Sequence, residues 1–287
     1  MATLTTEIVR PPEPAAPPAR RRKRRFSGRW VLPTWMALVI LWLIAPIIVM
    51  AVYGFNDGNG KVVSTSWQGF TFKWYSNIFA NGDLTQALVN SITIALITTA
   101  IATVLGTLMG VALGRWKFRG TGSVNLLLFA NIAAPEVVLG AALLSMFLTL
   151  GIPRGYFTII LAHVMFSVAY VVVTVRARMA GLDPALEEAS RDLGAGPIAT
   201  FFKVTLPVIR TGVFAGALLA FAMSIDDYII TSFNNGSTQT FPLWVWGARQ
   251  RLAGSVPPQV YVMGTLIFAV GVLLAITGAI SNRRKAA

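Results

Sequence analysis

Six apolar stretches divided by short polar connections are the feature of this sequence that most restricts its fold. A helix needs about 20 apolar residues to cross the roughly 30 Å hydrocarbon core of a bilayer, and each stretch reaches that length. Hydrophobic residues make up 55% of the chain and charged residues only 12%, a balance too apolar for a soluble domain of this size. The stretches lie at approximately residues 31–54, 86–113, 123–150, 157–179, 208–232 and 259–281. The sequence therefore predicts an all-α membrane protein with six transmembrane helices.

The positive charges fall mostly on one side of these predicted spans. With the N-terminus in the cytoplasm, 19 of the 24 Lys and Arg residues lie in cytoplasmic segments and five lie on the other side. This distribution follows the positive-inside rule, so both termini and the polar loop at about 180–207 are predicted to be cytoplasmic. The same distribution explains the net charge of +13 by topology, and nucleic-acid binding is therefore not predicted.

The chain divides into one membrane domain and two tails. Residues 30–282 form the predicted membrane domain, which is a single domain because its polar connections are short. The tail at 1–29 is Pro-rich and contains the run RRKRR, so it is expected to be disordered, with its cations on anionic lipid headgroups. Residues 283–287 form the second predicted cytoplasmic tail.

Several kinds of chemistry are excluded by residues that the sequence lacks. The chain has no cysteine and one histidine, so no metal site, iron–sulfur cluster or disulfide is predicted. Neither a P-loop nor a G-x-S-x-G motif occurs, so no catalytic residue and no cofactor of its own are predicted, and ATP would have to act through a partner. The single histidine, His163, is expected to be a hydrogen-bonded packing residue, with a proton relay as the alternative.

A loop with an amphipathic pattern lies between the fourth and fifth predicted spans. Its sequence from Glu188 to Pro207 is EASRDLGAGPIATFFKVTLP. Asp183 and Pro184 favour a helix start, Gly194 is expected to end that helix, and the Gly-Pro pair at 196–197 is expected to begin another. The second helix places Ile198, Phe201, Phe202 and Thr205 at helical spacing. A loop with one apolar and one charged face is predicted to bind another protein.

This loop resembles the EAA loop of ABC importer permease subunits, whose pattern is E-A-A, three residues, G, nine residues, I-x-L-P. The matching positions, with Ser and Val as conservative departures, are Glu188, Ala189, Ser190, Gly194, Val204, Leu206 and Pro207. The resemblance implies a type I importer permease fold and a coupling helix that docks on a cytoplasmic ATPase dimer, which would bind the ATP and Mg²⁺. The residues implied to couple are Glu187, Glu188, Ala189, Gly194, Phe201, Leu206 and Pro207. The alternative is a surface helix on lipid headgroups, which the acidic residues disfavour.

Four further segments are similar to the second permease of spermidine/putrescine importers. They are residues 134–144, 161–179, 182–195 and 221–233, and the resemblance covers roughly 31–280. It implies a multi-pass protein of a prokaryotic cytoplasmic (inner) membrane that imports polyamines by alternating access. The implied partners, besides membrane lipid and the ATPase, are a second homologous permease and a periplasmic or extracellular solute-binding protein. The alternatives are import of another small solute, such as an amino acid derivative, phosphonate or iron complex, a secondary transporter, and an integral-membrane enzyme.

Acidic residues inside the predicted spans are the candidates for the substrate pathway. Glu136, Asp226 and Asp227 lie there, where a charge near the centre costs about 2.5–3.5 kcal/mol and normally faces a wet cavity. Carboxylates without nearby cations suit a polycation, and Tyr228 is expected to add an aromatic face, together with Phe233 and Trp244. Alternatively, each Asp pairs with an Arg or with water, and Glu136 caps a helix broken at the preceding proline.

Glycines and outer aromatic residues carry the remaining predictions. The small-residue spacings of Gly106, Gly110 and Gly114, and of Gly212 and Gly216, are expected to serve close packing inside the subunit, with dimer contact as the alternative. The aromatic segment 55–85 is expected to lie at the outer headgroup level or to form part of a receptor-docking surface. In segment 233–258, Arg249 and Arg251 are candidates to meet acidic residues of a receptor.

Overall fold

The structure, a computed structural model, describes residues 30–58, 66–251 and 256–283, without the side chains of 251 and 279–283. The predicted disordered tail at 1–29 lies outside the described residues, as do residues 284–287. Within the described part the chain is helical, and residues 56 and 70 form an isolated β-bridge. The α-helices are α1 (Val31–Tyr53), α2 (Lys73–Ser76), α3 (Gly82–Arg115), α4 (Thr121–Ala133), α5 (Glu136–Thr149), α6 (Tyr156–Met179), α7 (Ala185–Asp192), α8 (Pro197–Thr200), α9 (Leu206–Ile225), α10 (Ile229–Asn234), α11 (Phe241–Arg251) and α12 (Gln259–Arg283).

Two units divide the chain between Pro46 and Ile47. The described part of the first unit is residue 30 and the first part of α1, whose Trp, Leu and Val side chains are exposed, as befits a helix solvated by hydrocarbon. The second unit contains the last turns of α1 and all the helices from α2 to α12.

Five helical segments are long and apolar enough to cross a membrane. They are α1, α3, α6, the continuous segment Pro197–Ile225, and residues Gln259–Gly278 of α12. The predicted third span at 123–150 is wrong as a single helix, because α4 and α5 meet at a bend of 110°. Pro135 causes this break, since it has no N–H to donate and disfavours the helical conformation at Ala134, whose ψ is 137°.

The bent pair nevertheless runs along α6 from one end to the other. At the start of α4, Asn125 Oδ1 accepts a hydrogen bond of 2.6 Å from Arg176 Nη1, near the end of α6. Close to the bend, Asn131 Nδ2 donates to the Met165 carbonyl at 2.8 Å. α5 then leads through a short connection to the first turn of α6. The pair is therefore one broken crossing, and the predicted six transmembrane segments are confirmed in that form.

Glycines allow α3 and α9 to pack closely on α6. A Cβ added at Gly106 would lie 2.6 Å from Val171 Cβ, and one added at Gly110 would lie 2.9 Å from Val175 Cβ. Gly216 of α9 approaches the backbone of Val171 in the same way, at 3.2 Å. The buried apolar side chains of α3, α6 and α9 form one continuous cluster around these contacts. The prediction that the glycine spacings serve packing inside the subunit is confirmed.

The predicted fifth span, 208–232, is also interrupted. α9 ends at Ile225, and α10 begins only at Ile229, so residues 226–228 are not helical. At its other end, α9 is continuous with a π-helical turn, Phe201–Thr205, and with α8 before it. One rod therefore reaches from the polar loop to the break at 226–228.

The outer aromatic segment is compact. α2 is a single turn of four residues. The rings of Phe55, Phe70, Phe72 and Tyr75 pack together, some stacked and some edge-on, at 4.7–6.4 Å between centroids. Trp74 is buried beside them, and its Nε1 donates to the Asn56 carbonyl at 2.8 Å. Apart from α2, the described residues of 66–81 contain no helix, so a long headgroup-level helix is not formed here.

Candidate functional site

The polar loop has the predicted helix–glycine–helix form. Ala185 N–H donates to Asp183 Oδ1 at 3.0 Å and opens α7, which ends at Asp192. Gly194 follows with φ of +85°, a left-handed conformation that a side chain with Cβ adopts only with strain. Pro197 then occupies the first turn of α8, where its missing N–H leaves no bond unmade.

An apolar surface projects from this loop. Leu193 is 89% exposed, Ile198 76% and Phe202 60%, and Leu186 of α7 is exposed as well. These four residues are called the loop surface below. The residues predicted to share one face of the second loop helix do not all face outward: Phe201 packs against the core cluster, and Thr205 is buried. Exposed apolar groups outside the predicted spans favour contact with another protein.

Glu187 lies on the opposite, inward side of α7. It is 8% exposed, and its Oε2 is 2.9 Å from Nε of Arg115, the last residue of α3. Thr205 Oγ1 donates to the other carboxylate oxygen at 2.7 Å, while Arg191 is farther away, at 4.0 Å. Burial raises the pKa of Glu187, but the Thr205 hydroxyl and the Arg115 guanidinium outweigh that effect and hold the pKa below its ordinary value. Glu188, the acidic residue of the motif, is exposed.

The break after α9 is held by a buried polar network. Asp227 Oδ2 accepts hydrogen bonds from the Thr231 N–H at 2.7 Å and from the Thr231 hydroxyl at 2.6 Å, which fixes the start of α10. His163 is 1% exposed; its Nδ1 lies 2.7 Å from Ser224 Oγ, and its Nε2 lies 2.9 Å from Thr231 Oγ1 and 3.3 Å from Asp227 Oδ2. His163 is thus a hydrogen-bonded interior residue, as predicted, and it links both sides of the break.

A cavity of about 510 Å³ opens beside this network. Its lining combines the bend between α4 and α5, the middle of α6 and the break after α9: Asn131, Ile132, Ala134, Glu136, Leu139, Phe166, Tyr170, Met223, Asp226, Asp227, Tyr228, Ile229 and Ile230. Three of these residues carry carboxylates, and none is Lys, Arg or His. The cavity therefore has acidic groups and no internal cation in its lining.

The three cavity carboxylates differ in their surroundings. Asp226 and Glu136 are exposed, and neither has an ion-pair partner among the described residues. The side chain of Asp227 is 6% exposed and is occupied by His163 and Thr231. Glu136 is the first residue of α5, after Pro135, as the alternative interpretation proposed, although no side chain caps that helix by a hydrogen bond. Its charge still lies at the favourable end of the helix dipole.

The predicted aromatic faces are only partly brought to the cavity. Tyr228 lines it and lies 5.3 Å from the ring of Trp246. Phe233 instead lies against Gly140, and Trp244 packs in an apolar cluster on α3. The expectation that these last two rings serve the pathway is therefore wrong for this structure, because both are used in helix packing.

Sequence reasoning missed Arg115 and Thr205 as partners of Glu187. The chain separation is 18 residues for Thr205 and 72 for Arg115, so no local periodicity connects them. The one available signal was the charge distribution, which placed Arg115 and the loop at the same membrane border.

Comparisons with known proteins agree with this geometry. Residues 102–286 match the family described as binding-protein-dependent transport system inner membrane component. The spermidine/putrescine transport system permease protein PotC of Haemophilus influenzae is 34% identical over 252 residues, covering 88% of this chain and 96% of that protein. The putrescine transport system permease protein PotI of Escherichia coli K12 is 37% identical over 252 residues, covering 83% and 88%.

Solved structures share the fold at lower identity. A bacterial ABC transporter that imports the polysaccharide alginate has a chain with a TM-score of 0.64 and 16% identity, covering 90% of this chain and 97% of that one. A chain of the MetNI methionine ABC transporter in an inward-facing conformation has a TM-score of 0.57 and 16% identity, covering 70% and 95%. The predicted all-α, type I importer fold is confirmed.

Proposed function

Because the chain belongs to the family of binding-protein-dependent transport system inner membrane components, we propose that it is one permease subunit of an ATP-driven polyamine importer. Members of this family form the membrane part of ABC transporters, and hydrolysis belongs to a separate subunit. The chain would make one half of a heterodimeric pore with a second homologous permease. A periplasmic or extracellular solute-binding protein would deliver the cargo, and alternating access would release it into the cytoplasm.

The observation that carries the polyamine proposal is the acidic cavity without an internal cation. Putrescine and spermidine are flexible polycations, so their ammonium groups require negative counter-charges inside the membrane. Asp226 and Glu136 are accessible to cargo, and Tyr228 adds a ring face suited to a cation. Asp227 contributes to the same site by holding the backbone break in place. Its carboxylate already contacts His163, so it is less available to cargo. The similarity to the spermidine/putrescine permease PotC and the putrescine permease PotI supports the same cargo class.

The loop surface is the proposed docking site for the ATPase. Its four apolar side chains offer contact area outside the membrane, and Gly194 supplies the sharp turn between α7 and α8. Glu187, Glu188, Ala189, Phe201, Leu206 and Pro207 belong to the same coupling segment. Leu206 and Pro207 begin α9, so a displacement of the loop is transmitted directly into a membrane-spanning helix. ATP and Mg²⁺ would be bound by the ATPase dimer.

Transport by the reconstituted complex tests the function. The chain would be assembled in proteoliposomes with its second permease, ATPase and solute-binding protein, and the uptake of labelled putrescine and spermidine measured. We expect ATP-dependent uptake and stimulation of hydrolysis by polyamine-loaded receptor. If a phosphonate, amino acid derivative or iron complex is imported and polyamines are not, the polyamine proposal is wrong and the permease assignment remains.

Orientation is tested separately by topology reporters. With the bent pair counted as one span, six crossings return the chain to its starting face, so we expect both termini in the cytoplasm from the charge bias. A reporter inserted at Asn59 is expected outside, and one at Gly196 inside. Two reporters on one side would contradict this arrangement.

A further inference from the structure

Both the chain and side-chain contacts join α7 to the packed core of the second unit. The chain itself connects α7 to α6 through residues 180–184. On its C-terminal side, residues 193–196 lead into α8 and the rod of α9, and Ser190 Oγ lies 3.2 Å from Thr200 Oγ1 of α8. Glu187 accepts a hydrogen bond from Thr205, which lies in the π-helical turn continuous with α9. Glu187 also pairs with Arg115 at the end of α3. Among the hydrogen bonds and ion pairs of the described residues, the Arg115–Glu187 pair is the link that reaches α3.

The packing of α3 on α6 is apolar. α3 meets α6 through Gly106 and Gly110 against Val171 and Val175, where the glycines allow a close approach of the two helices. These contacts join α3 to α6 and not to the loop. The ion pair at the end of α3 therefore adds a link to α7 that the glycine contacts do not provide.

Arg115 has few alternatives to this pair. Its side chain is 13% exposed, and neither its Nε nor its Nη2 has a partner that meets hydrogen-bond geometry among the described residues, so the contact of Nε with Glu187 is an ion pair. Glu187 is the carboxylate paired with it, at 2.9 Å. Because a largely buried charge is costly without compensation, the two side chains hold each other in place.

We propose that Arg115 is a positioning residue for energy coupling, which ties α3 to α7 so that the loop moves α3, α6 and α9 as one body. The motion of the loop reaches α6 and α9 through the chain on either side of α7, with Thr205 as a further tie to the rod of α9, and it reaches α3 through Arg115. Loss of the ion pair leaves the ATPase-docking surface in place but lets α3 lag behind the loop. This inference rests on the proposed function, since it concerns the step from ATPase closure to helix movement.

Charge exchange across the pair is the first test. Arg115→Met is expected to keep ATPase co-purification and basal hydrolysis while lowering receptor-stimulated hydrolysis about fivefold or more, and Glu187→Gln is expected to lower that stimulation as well. The double variant Arg115→Glu/Glu187→Arg is expected to recover part of that loss, because the attraction is restored with its direction reversed. Arg119→Gln removes an exposed cation at the same border and serves as the matched control, with stimulation expected to be unchanged.

A reversible cross-link gives a second test that does not depend on the charge exchange. The chain contains no cysteine, so Arg115→Cys/Glu187→Cys can be examined with partner subunits stripped of cysteine. We expect weak stimulation with free thiols, recovery when a short thiol-reactive linker bridges α3 and α7, and loss again after reductive release. A role in stability alone predicts no such cycle of loss and recovery.

The outcomes separate the inference from the function on which it rests. Absence of polyamine-stimulated hydrolysis in the unmodified complex would reject the proposed function. Normal stimulation in that complex together with equal values for the Arg115→Met and Arg119→Gln variants would reject the role of Arg115. A cross-linked double cysteine variant that stays uncoupled would also reject it, even if the charge variants failed to assemble.

Discussion

Glu187 in the polar loop and Asp226 in the cavity are both acidic residues beside helix ends, but their surroundings differ. Glu187 is buried between Arg115 and Thr205, so its charge is compensated within the chain. Asp226 is exposed to a cavity whose lining has no basic side chain. The difference indicates the partner of each group: an internally paired carboxylate fixes the position of a helix, whereas an unpaired one in a membrane cavity is available to a cation from outside the chain.

Asp227 combines features of Glu187 and Asp226, because it lines the cavity and is also paired within the chain. It faces the same cavity as Asp226, yet its oxygen accepts two hydrogen bonds from Thr231 and lies near His163. Adjacent residues of one chain can therefore have opposite roles, one holding the backbone break and the other facing the cavity. The backbone break, rather than helical periodicity, separates the two side chains.

The largest effect is expected from the turn of the loop. Gly194→Val places a β-branched residue at φ of +85°, which costs roughly 1–3 kcal/mol locally and redirects the loop surface. ATPase co-purification and transport-dependent hydrolysis should both be lost. Glu188→Lys should also lower both. Gly196→Ala, at an ordinary φ of −68° with open space around it, is the matched control. Normal coupling in the Gly194→Val complex would contradict the assignment of the loop.

The next largest effect is expected in the cavity, with the loop untouched. Asp226→Asn keeps the shape and removes the charge, so polyamine uptake should fall about tenfold, corresponding to about 1.4 kcal/mol. Glu136→Gln should have a smaller effect, because that carboxylate also interacts with the start of α5. Assembly and receptor affinity are measured in parallel, and Asp57→Asn, which removes an exposed charge outside both the loop and the cavity, is the control. Unchanged uptake in the Asp226→Asn/Glu136→Gln double variant would leave these carboxylates structural.

A smaller effect of another kind is expected from the network behind the break. His163→Phe leaves Ser224 and Thr231 without their buried partner, which should cost about 1–3 kcal/mol of stability. Asp227→Asn should likewise lower the melting temperature of the purified subunit more than Asp226→Asn does. Equal melting temperatures for the two Asp variants would remove the distinction between the neighbours.

The smallest effect concerns pH and the Glu187 pair. Because the pKa of Glu187 is lowered in the folded chain, its stabilising contribution is present above the ordinary glutamate pKa of about 4.3 and is lost as the pH falls through the lowered value. Glu187→Gln should remove this part of the acid dependence. The measurement is the melting temperature of the unmodified chain and of the Glu187→Gln variant as a function of pH in the acidic range. If the two melting temperatures fall with pH in parallel, the ion pair is not the source of the acid dependence.

The sequence predicts the continuous helices well because hydrocarbon imposes both length and composition on them. α1, α3, α6 and α12 lie close to the apolar stretches that predicted them. The loop is also predictable, since Gly194 and Pro197 act locally on the backbone. The breaks at Pro135 and after Ile225 lie inside stretches that remain apolar, so a hydropathy profile does not reveal them.

The site was harder to predict because its contacts join distant parts of the chain. Glu136, Asp226 and Asp227 were identified by the cost of burying charge, a property that each residue shows alone. The pairing of Glu187 with Arg115, and of Asp227 with His163, depends on how α3, α6 and α9 pack. No residue spacing within a single helix encodes such a pair.

The π-helical turn Phe201–Thr205 sets the rotation of α8 about the axis that it shares with α9. A π-turn contains about one residue more than an α-turn, and one residue corresponds to about 100° around a helix axis. Ile198 and Phe202 therefore point in a direction, relative to Gly212 and Gly216 on the same rod, that an unbroken α-helix would not give them. Removing Lys203 from this turn would keep the four apolar side chains of the loop surface, but it would rotate them about the axis of α9 and shift Glu187 relative to Thr205. In the proposed docking, the fit to the ATPase thus depends on the rotation of the loop about this axis as well as on the identity of its side chains.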